Sequence, residues 1–228
     1  MMFLESIPHE ILRGIYNAMQ ILSFPAVALV GLVYAKHYGL QRKKGCIYSL
    51  AVYVLLFGLM YLIPKVVVLF GLSGSINSSR CFLLVLIPTL IYSRWFKISP
   101  LEGCDFVAPG LYIARAIGKL GCVIFGCCHG IACEWGMYSH AAHERVFPLH
   151  LIEMLSCVLI TVVVLLYSKR KNYNAGGKAY AISMLMLGAV RYLGQFSTEK
   201  IFNEQSVYAI LMILLGLAIL YFADRKNL

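Results

Sequence analysis

Charge is what this sequence has least of. Asp, Glu, Lys and Arg make up 13% of its 228 residues, against about 25% in a typical soluble domain. Acidic groups are scarcest, with 10 Asp and Glu set against 20 Lys and Arg. A chain this poor in charge cannot coat a globule with hydrated groups, so a soluble globular domain is excluded. No internal repeat is visible, which weighs against a small-anion transporter built from related halves, and no low-complexity linker divides the chain. One domain covering 1–228 is expected. The N-terminus has no basic n-region with a cleavage site; Glu5, His9, Glu10 and Arg13 stand there instead. The first apolar segment is therefore expected to remain in the mature protein. The net charge of +10 does not point to nucleic acid, because Lys and Arg lie in short clusters between apolar runs. Such clusters set membrane topology and touch anionic membrane lipid.

What is present in abundance is apolar. Hydrophobic residues are 61% of the chain and the mean hydropathy is +0.79. Windows of about 20 apolar residues suit a membrane crossing, and seven are expected: 15–35, 46–70, 76–93, 105–127, 148–168, 177–197 and 205–223. The fold class implied is an all-α, polytopic membrane helix bundle. The third window is the weakest, because Ser75, Asn77, Ser78, Ser79 and Arg80 make its first turn polar. Pro64 and Pro88 are expected to kink the second and third. Twelve Lys and Arg fall in the segments 36–44, 94–104, 169–178 and the C-terminal tail, and four fall on the opposite side. The positive-inside rule then puts the N-terminus outside and the C-terminus in the cytoplasm. It also puts the 129–147 stretch, read as a loop, on the outer face. Gly176–Gly177 reads as a turn, and Trp95, Tyr92, Tyr167 and Tyr221 as interfacial aromatics.

Four cations lie inside the spans: Lys65, Arg115, Lys119 and Arg191. A charge in hydrocarbon costs several kcal/mol unless it is met, so such groups mark a functional site by default. Arg115 and Lys119 are four apart and share one helix face, which Gly118, Cys122 and Gly126 continue as a small-residue stripe. Against these cations the spans offer Glu153, with Asp105 and Glu199 near span ends. The anion a membrane supplies to a cationic interior is lipid phosphate, which Arg grips with a fork of donors and Lys as a point charge. The plainer alternative has Lys65 snorkelling to an interface beside Pro64 and Glu153 neutralising Lys119. Arg191 and Gln195 share a face of the sixth span, and topology lets Arg191 and Lys119 converge at one depth. His150 and Glu153 are three apart on the fifth span. They are either a general-base pair for a thiol or hydroxyl or a satisfied polar helix start. Cys122, Cys127, Cys128, His129 and Cys133, with His140 and His143 beyond, leave three readings open: a metal site, a disulfide and simple packing. The spacing fits paired zinc ligands poorly, and no metal or other cofactor is expected.

In order and in motif, residues 47–222 resemble the prolipoprotein diacylglyceryl transferase family. Gly74-Ser75-Ile76-Asn77-Ser78-Ser79 is followed by Lys97-Ile98-Ser99 and by Asp105-Phe106-Val107-Ala108-Pro109, which is similar to the family's D-x-x-A-P. Gly118-Lys119-Leu120-Gly121 stands where the family reads G-R-x-G-N, and Pro148-x-x-Leu151-x-Glu153 is similar to H-P-x-Q-L-Y-E. Arg191-Tyr192 matches a late R-F, and Gln205 a Gln that opens the last helix. The chain departs from the family at Lys119 for arginine, Cys122 for asparagine, Cys127 for glutamate, Asn77 for histidine and Gln195 for glutamate. It looks like a divergent branch bearing G-C-x-x-x-G-C-C-x-G. The resemblance implies seven spans with the N-terminus outside, in the bacterial plasma (inner) membrane. It implies transfer of the diacylglyceryl group of phosphatidylglycerol to the lipobox cysteine thiol of a prolipoprotein, with glycerol phosphate leaving. By the same resemblance Lys119 and Arg191 bind phosphate with Arg115 in support, Glu153 orients those cations or the head group, and Asn77 and Gln195 line the substrate site. His150 and His129 are the candidates for the base. A divergent, non-catalytic lipid-binding protein of the same fold is the competing reading.

Overall fold

The computed structural model describes residues 8–69, 79–126, 130–139, 143–198 and 203–225. Asn77, His129, Cys127, Cys128 and His140 lie outside the described residues. The chain is a helix bundle: α1 (His9–Tyr34), α2 (Arg42–Leu69), α3 (Ser79–Leu84), α4 (Leu86–Phe96), α5 (Pro100–Phe125), α6 (Leu149–Arg170), α7 (Lys178–Gly194) and α8 (Glu204–Arg225). Among the described residues, five stretches are long and apolar enough to cross a membrane: Glu10–Tyr38, Arg42–Met60, Pro100–Phe125, Leu149–Arg170 and Glu204–Ala223. The remaining two expected spans correspond to shorter helices, namely the α3–α4 pair and the 17-residue α7. α5 is the central column. It packs along α1 on one side and α6 on the other, and α7 pairs with α8.

Local chemistry explains the helix boundaries. Pro88 has no N–H to give the carbonyl of Leu84, and its ring crowds that group; the helix breaks there, with α3 ending at Leu84 and α4 beginning at Leu86. Thr89 steadies the break by donating its hydroxyl to the Val85 carbonyl at 2.9 Å. α2 runs through position 64 as a single helix. α5 begins five residues before the expected window, because Ser99 and Glu102 form a reciprocal capping box with Pro100 at the first helical position. That pairing satisfies two orphan backbone donors. Asp105 is therefore inside α5 and fully buried. There it accepts hydrogen bonds from the backbone N–H groups of Gly177 (2.7 Å) and Tyr180 (2.8 Å). It caps α7 from across the bundle, just after the Gly176–Gly177 turn, where both glycines have positive φ.

The basic segments gather at one end. Tyr34 and Tyr38 pack with Phe106 of α5 and with Tyr173 in the turn before α7, and His37 stacks on Tyr173 at 4.1 Å. At the opposite end the segment between α5 and α6 forms a two-stranded antiparallel sheet, β1 (Ala132–Ser139) and β2 (Glu144–Val146), where a loop was expected. The helices turn large apolar side chains outward, among them Leu29, Val33, Leu155, Leu159, Leu166 and Leu214, each more than half exposed. That outward face suits hydrocarbon and not water.

Candidate functional site: a buried carboxylate ringed by cations

Glu153, on the second turn of α6, is the hub. Its side chain is 5% exposed, and its carboxylate forms an ion pair with Lys119 of α5. The same Oε2 lies 3.7 Å from Nη2 of Arg115, one turn back on α5. Oε1 lies 3.8 Å from Nη2 of Arg191 on α7. Three cations from two helices thus meet one carboxylate on a third. Helix geometry explains the α5 contribution, since residues four apart stack on one face. The small residues at Gly118 and Gly121 let α1 close over that side. A Cβ at Gly118 would stand 3.3 Å from Gln20, and one at Gly121 would stand 3.1 Å from Met19.

His150 completes the cluster. Its Nδ1 lies 2.9 Å from the Lys119 ammonium and 3.7 Å from Oε2 of Glu153. An ammonium has only donors, so Nδ1 is the acceptor in that contact and the ring's proton resides on Nε2. His150 also borders a small cavity of about 30 Å³ between the end of α5, the hairpin and the start of α6, with Cys122, Met137, Ser139 and Phe147 among its walls. Arg115 lies over the Phe82 ring, its Cζ 5.4 Å from the centroid, a cation–π arrangement that suits a desolvated guanidinium.

The sequence reading therefore placed five residues that come together: Arg115, Lys119, His150, Glu153 and Arg191. The plainer expectation for Lys119 also holds, in that Glu153 does pair with it, but the same carboxylate serves both arginines. Lys65 is exposed and stands apart from these contacts. Gln195 is buried behind Arg191. Its Nε2 donates to the Arg191 carbonyl at 3.3 Å, and its Oε1 accepts from Nδ2 of Asn203 at 2.8 Å. Asn203 escaped the sequence reading. It also caps α8, its Oδ1 accepting from the backbone N–H of Gln205 (2.8 Å) and Ser206 (3.1 Å). Gln205 in turn accepts from Arg191 Nη2 at 2.9 Å. An asparagine just before an apolar helical run is an N-cap signal, and that signal pointed to Asn203. Cys122 and Cys133 are not disulfide-bonded, and among the described residues no three His, Cys, Asp or Glu cluster as a metal site would require.

Comparison with known proteins identifies the family. The family model for prolipoprotein diacylglyceryl transferase matches residues 7–222. A phosphatidylglycerol–prolipoprotein diacylglyceryl transferase of Dehalococcoides mccartyi is 24% identical over 153 residues, which are 60% of this chain and 56% of that protein. The matched region thus spans little more than half the length of that relative. The apolar helices and the match over nearly the whole chain describe a multi-pass membrane protein, and the chain belongs to the prolipoprotein diacylglyceryl transferase family.

Proposed function

We propose that this protein is a membrane-embedded transferase. It moves the diacylglyceryl group of phosphatidylglycerol to the lipobox cysteine thiol of a prolipoprotein, in the bacterial plasma membrane, with seven spans and the N-terminus outside. The observation that carries the reading is the convergence of Arg115, Lys119 and Arg191 on the buried Glu153. A phosphodiester head group needs donors that hold its oxygens and stabilise the charge that grows as the C–O bond to phosphate breaks. Lys119 and Arg191 supply those donors, Arg115 supports them, and Glu153 keeps all three in register. The thiolate sulfur attacks the glyceryl carbon, the C–S bond forms, and glycerol phosphate leaves with the electrons of the broken C–O bond.

Proton removal from the thiol falls to a base, and His150 is the described candidate; His129, the other, lies outside the described residues. With Lys119 donating to Nδ1, the resting imidazole has no basic nitrogen to offer the thiol. When Lys119 turns to a phosphate, Nδ1 is released to accept the proton. Binding of the lipid then arms the base, which prevents idle thiol activation. In this reading Gln195 serves the substrate site through the Arg191 carbonyl, and Asn77, outside the described residues, is assigned to substrate binding by the family resemblance.

The test uses purified protein, phosphatidylglycerol and a lipobox peptide, reading both glycerol phosphate and lipidated peptide. Lys119→Ala and Arg191→Ala are each expected to lower turnover on the order of 100-fold, as loss of a donor to a developing oxyanion does. Unchanged turnover in both variants would remove the proposed site. Absence of product from every peptide, with phosphatidylglycerol binding retained, would favour a non-catalytic lipid-binding protein.

A further inference from the structure

The hairpin between α5 and α6 has an irregular register. Ala132 and Met137 both face Val146, so Cys133, Glu134, Trp135 and Gly136 bulge out of β1. The bulge needs Gly136, because a Cβ there would collide with the Val146 backbone. Trp135 stands on this bulge 72% exposed, with Ile131 43% exposed at the entry to the hairpin. The indole is not loose, since it meets the Phe147 ring edge-on with centroids 5.6 Å apart.

The hairpin is also held close to the helix ends. Ile131 N–H donates to the carbonyl of Ser197, just beyond α7, and Phe147 N–H donates to the Ile131 carbonyl, both at 2.9 Å. The Ser139 hydroxyl donates to the carbonyl of Gly126, the cap of α5, at 2.6 Å. Leu149 opens α6 three residues after β2 ends. An element so tied to the mouths of three helices lies where they leave the bilayer, within the headgroup layer of a few ångströms that flanks the hydrocarbon. Indole has an apolar body and one N–H donor, and it concentrates at that depth. The other tryptophan, Trp95, is 74% exposed near the last turn of α4, beside the basic segments.

We propose that the Cys133–Gly136 bulge is a membrane-interface anchor, with Trp135 seated among the lipid headgroups at the hairpin end of the bundle. Its partner is the phospholipid surface itself. Trp135 touches Phe147, and Phe147 walls the cavity that His150 also borders. The anchor therefore holds that cavity at headgroup depth. The inference rests on the helices spanning a membrane, and it stands whether or not the protein transfers diacylglyceryl groups.

The test exploits the chain's having two tryptophans. In nanodiscs of phosphatidylglycerol and phosphatidylcholine, Trp95→Phe protein reports Trp135 alone. The expected emission is blue-shifted from that of tryptophan in buffer. It is quenched severalfold more by lipid labelled near the headgroup than by lipid labelled near the chain end or by aqueous iodide. Emission like that of indole in water, with iodide the stronger quencher, would overturn the proposal. A blue shift that no labelled lipid quenches would overturn it too, because protein would then cover the indole. The difference between the unaltered protein and Trp135→Phe gives the same readout with Trp95 in place.

Discussion

Glu153 carries an electrostatic burden that no other described residue shares. Its carboxylate is the meeting point of Lys119, Arg115 and Arg191, whose side chains are 13%, 5% and 4% exposed. Removing one partner of a buried ionic group leaves the others desolvated and uncompensated, which costs about 3–5 kcal/mol. Glu153→Ala is accordingly expected to lower the midpoint of thermal unfolding in detergent by more than any single cation replacement. Glu153→Gln, which keeps the volume and one acceptor, is expected to fall between Ala and the unaltered protein. A melting curve indifferent to Glu153→Ala would mean that the cations are held by something else. The ionic members of the cluster were legible in sequence because a charge in a long apolar run is conspicuous. Gln20 and Asn203 were not legible as its supports, because an uncharged amide is at home in many environments, and Gln205 was singled out only through the family resemblance. Only the packing of α1 and α8 brings them to Gly118, Gln195 and Arg191.

At the scale of elements, glycine decides where helices touch. A Cβ on Gly188 of α7 would lie 2.8 Å from Ile213 Cγ1 and 2.9 Å from the Ala209 carbonyl of α8. Gly216 of α8 presses equally hard on the Ala181 carbonyl, at 2.9 Å. In lipid, where no hydrophobic force draws helices together, such close backbone approach supplies dispersion contacts that larger residues would forbid. Gly188→Ala is expected to destabilise the protein by about 1–3 kcal/mol through overpacking against backbone that cannot yield. Gly14→Ala is the control, since nothing lies within 4 Å of its Cβ position; its effect should be neutral or slightly stabilising. Equal losses from the two would refute the seam. Element starts and stops were partly legible. Pro88 marked a break, and Gly176–Gly177 a turn, from backbone chemistry alone. The capping box at Ser99 moved the start of α5 beyond the apolar window, because polar capping groups are invisible to hydropathy. The hairpin was not foreseen, since its short strands depend on anchorage to the ends of α5 and α7.

Over the whole molecule, the apolar exterior and the basic end describe how the chain sits in a bilayer. The segments 36–44 and 169–178 share one end through the aromatic cluster of Tyr34, Tyr38, Phe106 and Tyr173. The end of α8 joins them there, since Gly177 approaches both Leu101 and Ile219. The cationic site lies toward the opposite end, with the hairpin. The positive-inside rule predicts the basic end in the cytoplasm, so a fluorescent protein fused to the C-terminus is expected to fold and glow in cells. Alkaline phosphatase fused there should be inactive. Active phosphatase at the C-terminus would invert the molecule and turn the hairpin toward the cytoplasm.

The sequence by itself determined the solvent: scarce charge and long apolar runs leave hydrocarbon as the environment in which this chain can bury its surface. It also determined which residues must be met by partners, because a buried Arg or Lys is costly wherever it lies. Only the tertiary structure decided who meets whom. Lys119, Glu153 and Arg191 are far apart in the chain and on separate helices. A carboxylate can answer three cations only when the packing of α5, α6 and α7 brings those helices within reach of one another.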